Sequence, residues 1–169
     1  MSLALFQDTA NAPRRGDPPG PTPERRPPRE PVFNAPGPAI ALVVIILGGY
    51  ALQLSLPQQV VEAFAFSPQD LGDGRWYTLI SAIFIHKNWE HAGFNAAFAL
   101  AFATPVARFL GHRATSVALF FLFYLLCGAL SFLGFALDHL GAAVGALGAS
   151  GAVSGLMGCL LYTSPSPRD

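Results

Sequence analysis

Three apolar stretches, each close to the length of a bilayer-spanning helix, constrain this chain more than any other feature. Ala39 to Leu56, the run that ends near Leu110, and Ala114 to Leu137 carry very little charge. About 20 apolar residues in a helix cross a hydrocarbon core of roughly 30 Å. Inside lipid the backbone must satisfy its own hydrogen bonds, and long unbroken apolar runs do so as helices. A fourth apolar stretch starts near Ser150 and breaks off near Leu161, just past half the length of a span. The expected fold class is therefore all-α: a polytopic membrane helical bundle with three spans and the start of a fourth. Composition agrees, because 52% of the residues are hydrophobic and only 12% charged, about half the charged share of an ordinary soluble domain.

The ten basic and ten acidic residues cancel, so no field directs the chain to nucleic acid. No phosphate loop, dinucleotide fingerprint or metal-ligand spacing is present, and neither a cofactor nor a metal is implied. Cys127 and Cys159 lie in apolar runs and read as small packing residues, not a disulfide framework.

The chain divides by material. Residues 1–38 are dense in Pro and Arg from Pro13 onward and read as a disordered cytoplasmic tail, too poor in apolar surface to offset chain entropy. Residues 39–161 form the membrane domain. Pro57 is expected to stop the first span, and Trp76 to Ile85, apolar but too short to cross, is expected to be interfacial or re-entrant. Asn88 is placed to cap a helix whose first turn holds Trp89 and Glu90, with Pro105 bending its far end. Arg25, Arg26 and Arg29 precede the first span, and Arg108 and Arg113 join the second and third. The loop after the third has no Lys or Arg, so the N-terminus is expected in the cytoplasm and residues 57–88 and 138–149 outside.

Spans two and four then enter from the outer face. His91 and Asn95, one helical turn apart, share a face near the start of span two, and Ser150 stands at the first turn of span four. A hydroxyl, an imidazole and a carboxamide meet at one shallow depth, where polar groups are expensive and imply function. The amides of Ala149 and Ser150, at a helix N-terminus, point into the opening and suit a developing oxyanion. The implied chemistry is peptide-bond hydrolysis within the membrane. His86 and His91, about 140° apart around a continuous helix, are not placed to chelate one metal. Gly141, Gly145, Gly148, Gly151, Gly155 and Gly158 form a stripe whose generic meaning is close helix packing, and Ser154 is expected to bond back to its own helix.

These residues resemble the rhomboid intramembrane serine proteases over roughly 39–161. The H-x-x-x-x-H-x-x-x-N pattern is met by His86, His91 and Asn95, and the G-x-S-G motif by Gly148, Ala149, Ser150 and Gly151. The resemblance implies a rhomboid-like bundle in which Ser150 is the nucleophile, His91 and Asn95 stabilise the oxyanion, and His86 is structural, holding the external loop. Family members often carry Trp-Arg in that loop; here Arg75-Trp76 has the reverse order. The resemblance also implies a dyad histidine on a sixth span, the general base, which is absent from this chain. Residues 162–169 read as non-native read-through, so two or more further spans are expected and the 169-residue piece is expected to be inactive.

The implied substrates are transmembrane proteins cut near the outer membrane face, and the implied setting is a multi-pass membrane protein, as in a bacterial inner membrane. The alternatives are a non-catalytic rhomboid-like protein that binds membrane clients and, behind it, a small transporter or helical scaffold. Substrate identity, oligomeric state and the purpose of the tail are not encoded legibly.

Overall fold

The computed structural model describes residues 35–140, 142 and 144–163. The Pro/Arg-rich tail through residue 34, Gly141 of the glycine stripe and the terminal segment from 164 lie outside these residues. The described chain is all-helical: α1 (Gly37–Gln53), α2 (Gln58–Phe64), α3 (Gln69–Gly72), α4 (Thr78–Ser81) with a 3-10 turn over Ala82–Phe84, α5 (Trp89–Leu110), α6 (Ala114–Asp138) and α7 (Ser150–Thr163).

Helices α5 and α6 are long and apolar enough to cross a membrane, whereas α1 and α7 are shorter apolar helices. The first span is displaced from its expected limits. It starts at Gly37, because Pro38 in the first turn forfeits an N–H that has no helical acceptor anyway. It ends at Gln53, ahead of Pro57, where the Leu54 amide still reaches the Tyr50 carbonyl but Ser55 turns its hydroxyl back to Leu52. The second and third spans and the start of the fourth fall where the sequence put them. Asn88 caps α5 as expected, its Oδ1 accepting from His91 N at 2.8 Å, a contact worth about 1 kcal/mol.

Packing follows side-chain size. Ala92, Ala96, Ala99 and Ala103 are buried along α5 at spacings of four, three and four, a smooth face that lets α1 and α7 both lie close. On α1 the facing residues Ala39, Leu42, Ile46 and Tyr50 repeat every three or four positions and are buried. The outer faces carry Phe94, Phe98, Phe109, Leu119, Leu122, Leu126 and Leu130, all exposed, which is the surface lipid would cover.

Trp76–Ile85 is not laid flat on an interface. It folds into α4 and the 3-10 turn and re-enters the bundle, burying Leu79, Ala82, Ile83 and Ile85 and leaving Trp76 and Tyr77 exposed. Ile83 fits only because Gly128 of α6 lacks a side chain: a Cβ there would lie 2.5 Å from Ile83 Cδ1.

The glycine stripe has two meanings. Gly151 and Gly155 are packing notches on α7, filled by Ser131 and by Cys127 of α6, while Gly158 faces open space. Cys127 and Cys159 are not joined in a disulfide and are half-buried. Filling a notch therefore forces α6 and α7 apart, at a cost of about 1–3 kcal/mol. Gly155→Val should lower the thermal midpoint in detergent clearly, whereas Gly158→Ala should leave it unchanged or raise it; equal midpoints for the two variants would contradict this packing.

Candidate active site

The site end of the bundle is built by two loops that pair with each other. Phe66 and Ala146 exchange backbone hydrogen bonds at 3.1 and 2.8 Å, and Gln69 Nε2 donates to the Ala142 carbonyl at 2.8 Å. The Phe66 ring, only 1% exposed, packs on Phe132 of α6 with centroids 5.2 Å apart. Asp70 organises the earlier loop from a fully buried position: it accepts from Ser67 N at 2.9 Å and is paired with the Arg75 guanidinium, as a buried carboxylate requires. Arg75 is thus a loop-holding residue, whatever its order relative to the exposed Trp76.

The second loop delivers the serine. Gly148 N donates to the Ala82 carbonyl at 2.8 Å, and Gly148 sits at φ 111°, a region that side chains disfavour. A Cβ at Gly148 would also lie 2.5 Å from His91 Cε1 and 2.7 Å from Nε2. The last turn before α7 therefore rests directly on the His91 ring. Ser150 begins α7, so the amides of its first turn have no intrahelical acceptor. The Ser150 side chain is exposed and its hydroxyl makes no hydrogen bond among the described residues.

Asn95 is buried at 5% exposure and donates one Nδ2 hydrogen to the His91 carbonyl at 2.9 Å, which fixes its carboxamide and leaves its second hydrogen available. Asn95 and Ser150 line one pocket of about 290 Å3 with Phe98, Phe102, Val153, Ser154 and Met157. His91 Nδ1 accepts from the Lys87 amide at 3.4 Å, a contact that favours the neutral ring with its proton on Nε2, on the edge that faces Gly148. His91, Asn95 and Ser150 are thus gathered at one end of the bundle, and the site can place several hydrogen-bond donors beside an accessible hydroxyl.

His86 precedes α5, as the Asn88 cap implies, so the angle of a continuous helix does not apply to it, and the His86 and His91 rings meet edge to face with centroids 5.3 Å apart. His86 Nδ1 donates to the Phe84 carbonyl at 3.2 Å, and its buried Nε2 has no partner among the described residues. Ser154 departs from its sequence expectation: its hydroxyl does not bond back to α7 but lines the pockets beside Ser150. His112 sits between α5 and α6 at the opposite end of both helices from His91. His139 stacks on Phe135 at 4.2 Å and donates Nδ1 to the Phe135 carbonyl at 3.0 Å.

Two contributors escaped sequence reasoning. Gln53 pairs with the backbone of His86, and Ser131 of α6 borders the pocket that holds Ser150 and Gly151. A polar residue closing an apolar run was the available signal for Gln53; nothing in the α6 sequence singled out Ser131.

A family model described as Rhomboid domain matches residues 73–169, more than half of the chain, and covers His86, His91, Asn95 and the Gly148–Gly151 turn. No curated protein matches it.

His86 gives this site a pH signature. Burial above all, and then the neighbouring His91, lower its pKa from 6.5 to about 4, with the Phe84 carbonyl opposing. The unfolded chain takes up this proton more readily than the folded one, so the stabilisation is complete above 6.5 and is lost as pH falls through about 4. Thermal unfolding across this range should show a falling midpoint, and His86→Asn should flatten that fall. Identical pH profiles for the two proteins would rule out His86 as the cause.

Proposed function

The chain belongs to the rhomboid family, and from that premise we propose that it carries the nucleophile and oxyanion site of an intramembrane serine endopeptidase that cuts transmembrane substrates near the outer membrane face. The observation that carries this reading is the pocket shared by Ser150 and Asn95, with the His91 ring seated against Gly148 one residue before the Ala149–Ser150 step. The protein is an integral membrane protein, with its N-terminus in the cytoplasm on the arginine distribution.

In this mechanism Ser150 Oγ attacks the scissile carbonyl carbon, the C–N bond breaks, the amine leaves with the hydroxyl proton, and water then releases the acyl group. The negative oxygen formed on attack is received by the Ser150 amide, His91 Nε2–H and the free Asn95 hydrogen. A serine hydroxyl needs a base, and the chain's four histidines are otherwise engaged. His91 presents a protonated Nε2, His86 is buried, His112 is at the far end, and His139 is held on Phe135. Following the rhomboid resemblance, we assign the base to a histidine outside residues 1–169, so that these residues alone give no turnover.

The test is proteolysis of a transmembrane substrate by protein that includes the native continuation of the gene. Ser150→Ala should abolish cleavage and labelling by a fluorophosphonate, and Asn95→Ala should slow cleavage roughly a hundredfold. Residues 1–169 expressed alone should give no Ser150-dependent turnover. Full cleavage by Ser150→Ala would remove the nucleophile, and a protein that binds such substrates without ever reacting with the probe would instead be a client-binding relative.

A further inference from the structure

Gln53, the last residue of α1, holds both backbone groups of His86. Its Oε1 accepts from His86 N at 2.9 Å and its Nε2 donates to the His86 carbonyl at 2.7 Å. That carbonyl and the Lys87 N–H are opposite edges of one planar trans peptide. Fixing the carbonyl therefore fixes the direction of the N–H, which is the group that donates to His91 Nδ1. The Lys87 contact is long, at 3.4 Å, so its alignment depends on how firmly this peptide is held.

We propose that Gln53 is a positioning residue of the site: through the His86–Lys87 peptide it selects the tautomer of His91 and aims Nε2–H at the Gly148 turn. This deepens the proposed function and rests on His91 acting there as a hydrogen-bond donor. A chain of donors running Gln53 to His86 carbonyl, then Lys87 to His91, strengthens each successive bond by polarisation. Only a side chain offering a donor and an acceptor in one plane does this. An ionised glutamate offers acceptors alone, and methionine has no N–H.

A second contact separates positioning from mere attachment. Tyr50, one turn before Gln53, meets Trp89 edge to face at 4.8 Å and ties α1 to the start of α5 through that ring contact, with no hydrogen bond to the His86–Lys87 peptide. Loss of Tyr50 weakens the anchorage; loss of Gln53 frees the peptide.

The experiment records the ring nitrogens of His91 by 15N NMR in the full chain, in detergent or nanodiscs, with the signals assigned by their disappearance in His91→Gln. Wild type and Tyr50→Leu should each show one tautomer, protonated at Nε2, with Tyr50→Leu lowering the thermal midpoint. Gln53→Glu and Gln53→Met should lose the single tautomer and show exchange between two. A wild-type ring protonated at Nδ1 overturns the inference without any variant, as does a single Nε2–H tautomer retained in either folded Gln53 variant. The readout does not depend on catalysis, so failure of Ser150→Ala to abolish cleavage would remove the proposed function and leave this result standing.

Discussion

The backbone pairing of Phe66 with Ala146 is the contact on which the rest of the site depends. Residues 54–88 are broken into short helices and turns, and both this segment and the connection from α6 to α7 carry amides that lipid cannot satisfy. By bonding to each other at Phe66–Ala146 and again at Ala82–Gly148, they satisfy those groups and fix the height at which α7 begins. Were this seam to open, Gly148 would leave the His91 ring and Ser150 would lose its register against α5. The pair of the buried Asp70 carboxylate with Arg75 and the Phe66–Phe132 contact support the same seam from the loop side and the helix side.

Below that seam the bundle is held by the absence of side chains as much as by their presence. The alanine stripe of α5 and the notches at Gly128, Gly151 and Gly155 bring helices close enough for extensive dispersion contact. In lipid, where apolar surface gains nothing by leaving one hydrocarbon for another, such contact is a main source of helix association. At the end where the loops meet, Asn95, His91 and Ser150 are paired with backbone or open to an accessible pocket. Packing and site touch at Ser131, which fills the Gly151 notch and borders the pocket that holds Ser150.

The helices, the Asn88 cap and the grouping of His91, Asn95 and Ser150 were legible because each follows from a local rule: apolar length, a capping side chain at a helix start, one-turn spacing on one face. What is not legible has a different cause. The apolar residues of Trp76–Ile85 fit an interface as well as a re-entrant wedge, and only the space over Gly128 decides between them. The residue type of Ser154 suits a bond to its own helix, whereas a pocket beside it leaves the hydroxyl free.

From its sequence alone, this chain was bound to form long apolar helices and to set a serine, a histidine and an asparagine near helix starts, because apolar length and helix capping act segment by segment. Tertiary structure alone decided that the His91 ring lies against Gly148 and that Gln53 at the end of α1 bonds both backbone groups of His86. Those features arise from contacts between residues 33 to 57 positions apart in the chain, and no local pattern encodes which distant groups will meet.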